Sequence, residues 1–329
     1  MPSYKRTIRF WKYYKEWIET YKKRQVRRVT YSKYELVAKY LEENYPDLAI
    51  YELDRRKYQE ILNKYGETHE LATTRDFKRL LDKSLQDANY EGWIKRDPTF
   101  GIIVKSTVLN KKRKKFLEVD ETDKLANYFL RNPGYYSYLF DFILRTGLRF
   151  SESLGVTLED VDFKNHTVNI NKTYDYKYNA GFAPTKNESS KRVLAIDEIA
   201  ERDIKRASFG VMQDEPLFVA AWQIYCKTSN TYHGKEHEGK YPYPMYNSTC
   251  NSKLIIICKR LKITPITLHG LRHTHGSYLL AKGMEEETIQ RRLGHAKKAT
   301  TDRIYLHLLK ELKEKDNEHI KAVLNELNF

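Results

Sequence analysis

Five consecutive basic residues, Lys111-Lys112-Arg113-Lys114-Lys115, limit how this chain can fold. Like charges in a row repel one another and resist burial, so the run cannot lie in a core. It reads as an exposed, extended linker over 109–117. The 329 residues are enough for a core on each side of it. The expected organisation is a helical unit over 1–108, the linker, and a second domain over 118–329.

Helical spacing dominates the first unit. Tyr34, Leu36, Val37, Tyr40 and Leu41 recur at helical spacing, and Asp54 is placed to cap a helix running through Tyr58, Ile61 and Leu62 to a stop at Gly66. Thr73 or Thr74 opens a further helix carrying Phe77, Leu80, Leu81, Leu85 and Ala88. Beyond the linker, Asp120 with Asp123 resembles a capping arrangement. Residues 135–146 form an apolar, central helix that Gly147 breaks. His166–Ile170 alternates like a strand and Arg192–Ile196 supplies a branched partner, with the polar turn Pro184–Ser190 between them. Residues 228–246 read as an irregular loop, and helices resume from Leu254. The fold class is therefore mainly α with a small antiparallel β-sheet.

Charge narrows the partner. Lys and Arg total 59 against 44 Asp and Glu, a formal net charge of +15. Such an excess suits a polyanion, because each phosphate neutralised releases condensed counterions. Lys22, Lys23, Arg24, Arg27 and Arg28, together with Lys111 to Lys115, are the candidate contacts to double-stranded DNA. Three scattered cysteines make no disulfide framework, which fits a reducing cytosol. No run approaches the roughly 18 apolar residues of a membrane span, so no membrane partner is expected.

The chemistry concentrates in two places. Thr146-Gly147-Leu148-Arg149 with Glu152 follows the central helix. His269-Gly270-Leu271-Arg272-His273 comes later, followed by Leu293-Gly294-His295 and by Tyr305. Phosphodiester cleavage builds negative charge in its transition state, which fixed donors must stabilise. Arginine meets phosphate oxygens bidentately and keeps its proton, so Arg149 and Arg272 suit that role. His269 and Arg272 are three apart and share a helical face. Gly294 can end a helix and turn His295 into the site. Attack by a tyrosine conserves the bond energy in a phosphotyrosyl ester. Lys186, at the tip of the expected hairpin, can supply the leaving group's proton. A zinc site from His269, His273, His275 or His295 with Cys250 or Cys258 has no recognised ligand spacing, and no metal or cofactor is expected.

Together these boxes resemble the tyrosine recombinases, specifically the integrases of phages and conjugative transposons. The resemblance implies Arg149, Arg272 and His295 as phosphate ligands, His269 as a proton-transfer residue, Lys186 as general acid and Tyr305 as nucleophile. Glu152 would support the site. Lys191 is the alternative lysine if the hairpin register differs. The implied fold is a helical core-binding domain and a catalytic domain closing as a C-shaped clamp on DNA. Many relatives begin with a further small arm-binding domain, which is not expected here because the sequence starts close to the core-binding helices. The implied assembly is a homotetramer working through a Holliday junction, assisted by an accessory DNA-bending or directionality factor. Its setting would be a bacterial cytoplasm, associated with the nucleoid. An amphipathic tail from Leu308 to Phe329 is expected to dock on a neighbouring protomer. Two rivals stay open: a type IB topoisomerase-like enzyme, and a non-catalytic DNA-binding protein on the same scaffold.

Overall fold

The computed structural model describes residues 8–109, 115–230, 232, 234–236 and 238–294. The chain divides into two compact units, Met1–Lys112 and Arg113–Phe329, and the division falls inside the basic run. Of that run only Lys115 is among the described residues, as are neither His295, Tyr305 nor the tail from Leu308.

The first unit is built from α1 (Phe10–Tyr21), α2 (Arg28–Asn44), α3 (Arg55–Thr68) and α4 (Leu71–Tyr90). Their apolar faces meet around Phe10, Tyr14, Leu41, Ile50, Tyr58, Ile61, Leu81 and Leu85. Asp54 caps α3, accepting from the Lys57 amide at 2.7 Å. Gly66, however, does not stop that helix, which runs on to Thr68. A Cβ there would drive into the Lys105 carbonyl, so the glycine admits a strap of chain across α3. Gln59 holds the same strap through two bonds to the Ile103 backbone, at 2.7 and 3.0 Å. α4 begins at Leu71 rather than at Thr73 or Thr74. Thr74 is buried in the first turn and its hydroxyl donates to the Glu70 carbonyl at 3.2 Å, a local bond that imitates a cap in sequence.

The basic cluster lies where α1 gives way to α2. Lys22 holds its ammonium 4.6 Å from the Trp17 ring centre. Lys23 pairs with Glu19 at 2.5 Å, and Arg24, Arg27 and Arg28 are exposed.

In the second unit α5 (Val119–Arg131) and α6 (Tyr135–Thr146) lead to the single turn α7 (Phe150–Ser153). Five short strands follow: β1 (Val161–Asp162), β2 (Thr167–Ile170), β3 (Lys172–Tyr174), β4 (Phe182–Pro184) and β5 (Arg192–Ala195). Then come α8 (Glu198–Ala207), α9 (Leu217–Ser229), α10 (Asn247–Arg260), α11 (Leu268–Ala281) and α12 (Glu286–Leu293). α6 is the hub, with Leu139, Phe140, Phe142 and Ile143 wholly buried beneath the helices packed on it. The whole is mainly helical with two small antiparallel sheets. Among the described residues no helix is long and apolar enough to cross a membrane.

Three local features of the second unit depart from the sequence pattern. β2 and β5 do pair, Val168 opposite Leu194, but a second hairpin of β3 and β4 is inserted between them. Lys186 therefore sits on the exposed connection from β4 to β5, not at a hairpin tip. The cap of α5 is Glu118 with Glu121, not Asp120 with Asp123. Glu121 has the reach to fold back and accept from the Glu118 amide at 3.1 Å. α10 starts at Asn247, ahead of the apolar run that begins at Leu254.

Candidate active site

Two left-handed glycines shape the site. Gly147 ends α6 at φ 68° and Gly294 ends α12 at φ 64°. A Cβ on Gly147 would come within 2.6 Å of the His275 ring and 2.8 Å of the Leu293 side chain, so no larger residue fits between α6, α11 and α12. The turn at Gly147 buries Leu148 and sets Arg149 at the N-terminus of α7. Glu152, one turn on, accepts from the Arg149 amide at 3.1 Å and pairs with the Arg149 guanidinium.

Glu152 is the electrostatic centre. It is 1% exposed and lies among three guanidinium groups, those of Arg149, Arg192 (3.2 Å) and Arg272 (3.9 Å). Burial pushes its carboxyl up, but Arg192, Arg149 and Arg272 outweigh that and hold it below the usual carboxylate range. It is therefore a fixed anion that lets three cations share a small, dry volume.

α11 brings in the second arginine. Thr267 caps this helix by accepting from the Gly270 amide at 3.2 Å. Arg272 is 1% exposed and donates to the Gly147 carbonyl at 2.8 Å and the Leu293 carbonyl at 2.5 Å. It thus bridges the C-terminal ends of α6 and α12, where helix dipoles favour a cation. The end of α12 is held by three arginines in turn. Arg192 donates to the Arg292 carbonyl at 2.6 Å, Arg272 to that of Leu293, and Arg149 to that of Gly294 at 3.2 Å.

His269 lies one turn before Arg272 and packs edge-on against His273, ring centres 4.4 Å apart. Both line a cleft of about 730 Å³ together with Lys115, Thr267 and Gly270. Burial, reinforced by Arg272, Arg149 and Lys115, pulls the His269 imidazole below its ordinary pKa. It is neutral at pH 7 and fit to accept a proton.

The structure thus brings Arg149, Glu152, His269 and Arg272 into one unit. Lys186 is exposed and, among the described residues, has no ion-pair partner, whereas Lys191 pairs with Glu188 at 3.1 Å. Three residues not foreseen from sequence support the site: Arg192, His275 and Arg292. His275 donates from Nδ1 to the Leu144 carbonyl at 2.8 Å and accepts at Nε2 from Arg292 at 2.9 Å, committing both nitrogens. Arg292 also donates to the Ala195 and Arg145 carbonyls at 3.0 and 3.1 Å. No spacing in the sequence links Arg192 to Glu152 or Arg292 to His275, since each pair meets only through the fold.

The site is thus a set of arginines converging on a buried glutamate within a mainly helical domain. The chain belongs to the phage integrase family, whose model matches residues 115–311, a span that includes positions 295 and 305. It is 29% identical over 238 residues to the integrase of Staphylococcus phage L54a, covering 64% of each chain. It is 27% identical over 272 residues to the transposase of transposon Tn916 from Enterococcus faecalis, covering 76% of this chain and 64% of that one. The chain thus spans about 64% of the length of these curated relatives. In fold it is similar to the Tn1549 transposon integrase solved with circular intermediate DNA. That match has TM-score 0.69 and 17% identity, over 90% of this chain and 94% of that one. It is also similar to a lambda integrase dimer bound to a core site, with TM-score 0.64 and 14% identity over 92% and 78%.

Proposed function

We propose that the chain is a site-specific DNA recombinase of a mobile element, cleaving and rejoining DNA through a 3′-phosphotyrosyl intermediate and a Holliday junction. The observation that carries this is the buried Glu152 gathering Arg149, Arg192 and Arg272. A neutral His269 lies one helical turn from Arg272. In this reading Tyr305 attacks the phosphorus while His269 takes the phenolic proton. Arg149, Arg272 and His295 bind the non-bridging oxygens, and charge accumulates where fixed cations already stand. The bond from phosphorus to the 5′ oxygen breaks, and that oxygen takes a proton from Lys186. The lysine's exposure and lack of an ion-pair partner among the described residues favour it over Lys191. The ester keeps the bond energy, so rejoining calls for no nucleotide.

The net charge of +15 supports a DNA partner. So do the DNA complexes in which the Tn1549 and lambda integrases were solved. Lys22, Lys23, Arg24, Arg27, Arg28 and Lys111 to Lys115 are the proposed contacts, of which the first unit's cluster stands on an exposed turn. The reading includes a homotetramer on DNA and two working domains, one on each side of the basic run. The mobile-element relatives favour it over the topoisomerase-like and non-catalytic alternatives.

The test uses duplexes that the protein selects from a random pool, resynthesised as nicked suicide substrates. Wild-type protein is expected to form a covalent adduct that resists denaturing electrophoresis, and Tyr305→Phe to form none. An adduct that persists in Tyr305→Phe would refute the nucleophile assignment.

A further inference from the structure

We propose that Arg192 is a positioning residue that registers the Lys186-bearing connection and the end of α12 against Glu152. The inference rests on the recombinase reading above and adds a residue to its machinery. The side chain of Arg192 is 7% exposed, and each of its three nitrogens has a separate partner. Nε donates to the Arg292 carbonyl at 2.6 Å, at the end of α12 that leads into His295. Nη1 donates to the Ser190 carbonyl at 2.7 Å, in the connection that carries Lys186. Nη2 donates to Glu152 Oε2 at 3.2 Å, the carboxylate shared with Arg149 and Arg272. One rigid, planar fork thus ties three segments distant in sequence.

The packing around it leaves no slack. A Cβ on Gly294 would come within 2.9 Å of the Ser189 carbonyl and 3.0 Å of Arg192 Nη1, so the connection and the α12 turn touch directly. Ser190 is itself buried, and its hydroxyl accepts from Arg149 at 3.4 Å. The connection is therefore anchored at Ser190, four residues after Lys186, while Lys186 itself stays exposed. With one N–H of each nitrogen committed and its side chain 7% exposed, Arg192 acts through its neighbours. A lysine at this position keeps the charge for Glu152 but cannot hold three partners in three directions.

The distinguishing experiment replaces the bridging 5′ oxygen of the selected duplex by sulfur. When the bond from phosphorus to sulfur breaks, the sulfur leaves with the electron pair as a thiolate and needs no proton. On oxygen DNA, Arg192→Lys is expected to slow adduct formation on the order of 100-fold or more, the scale of a lost general acid, with little change in the DNA concentration for half-maximal rate. On sulfur DNA Lys186→Ala is expected to approach the wild-type rate, and Arg192→Lys to recover all but the smaller deficit left by a loosened end of α12. Arg192→Gln, neutral and of similar reach, is run in parallel in case the lysine variant does not fold, with unfolding midpoints measured for each. An equal deficit of a folded variant on both substrates would overturn the proposal, as would a wild-type rate on oxygen DNA or a Lys186→Ala defect that sulfur leaves unrelieved. Wild-type protein giving no adduct on either DNA would instead overturn the recombinase reading itself.

Discussion

His275 ties the stability of the second unit to pH, and the size of the effect follows from its contacts. Its Nδ1–H donates to the Leu144 carbonyl and its Nε2 accepts from Arg292, so the native ring is neutral. A second ring proton would point at an arginine N–H that has nowhere to turn. Burial, helped by Arg292, pulls its pKa from the ordinary 6.5 down to about 3, against a small opposing pull from the Leu144 bond. Between those values the unfolded chain binds the extra proton and the native state does not. The histidine's contribution is therefore fully present above pH 6.5 and is lost as pH falls toward 3. At about 1.4 kcal/mol per unit, a fall to pH 5 removes about 2 kcal/mol. Urea unfolding of wild type and His275→Asn at pH 7.5 and 5 isolates this group. Asparagine keeps an N–H for the Leu144 carbonyl and does not titrate. Wild type is expected to lose about 2 kcal/mol more than the variant over that interval. Parallel pH profiles would refute the reasoning.

Glu152→Gln leaves Arg149, Arg192 and Arg272 crowded without their anion, and breaking a buried pair of this kind costs about 3–5 kcal/mol. Urea unfolding checks it, and a loss below about 1 kcal/mol would mean that solvent or rearrangement compensates the cations. Gly66→Ala in α3 carries an unusual sign. Alanine ordinarily stabilises a helix interior by about 1 kcal/mol relative to glycine. Here the new Cβ meets the Lys105 carbonyl, so a net loss of about 1–3 kcal/mol is expected in the first unit's thermal unfolding. A stabilised variant would show that the strap yields.

Much of the fold was legible because its signals are local. The apolar run 135–146 and the glycine after it mark α6 and its left-handed end, and both stand where the pattern puts them. Asp54 caps α3 for the same reason: a side-chain oxygen three residues from its amide needs no distant partner. Errors arose where a distant segment decided the outcome. Gly66 looks like a stop until the strap at Lys105 is seen, and the polar residues 184–190 look like a hairpin tip until β3 and β4 are placed between the paired strands.

The site divides along the same line. Sequence alone put forward the ordered set of Arg149, Glu152, His269 and Arg272, because each sits in a short motif, and it was the resemblance those motifs carry together that pointed to Glu152. Only the tertiary structure decided that Glu152 would serve three arginines, that Arg192 would join them from β5, and that His275 would hold Arg292. Those links are charge pairs and hydrogen bonds between elements far apart in the chain, and their energies depend on burial, which no spacing in the sequence encodes.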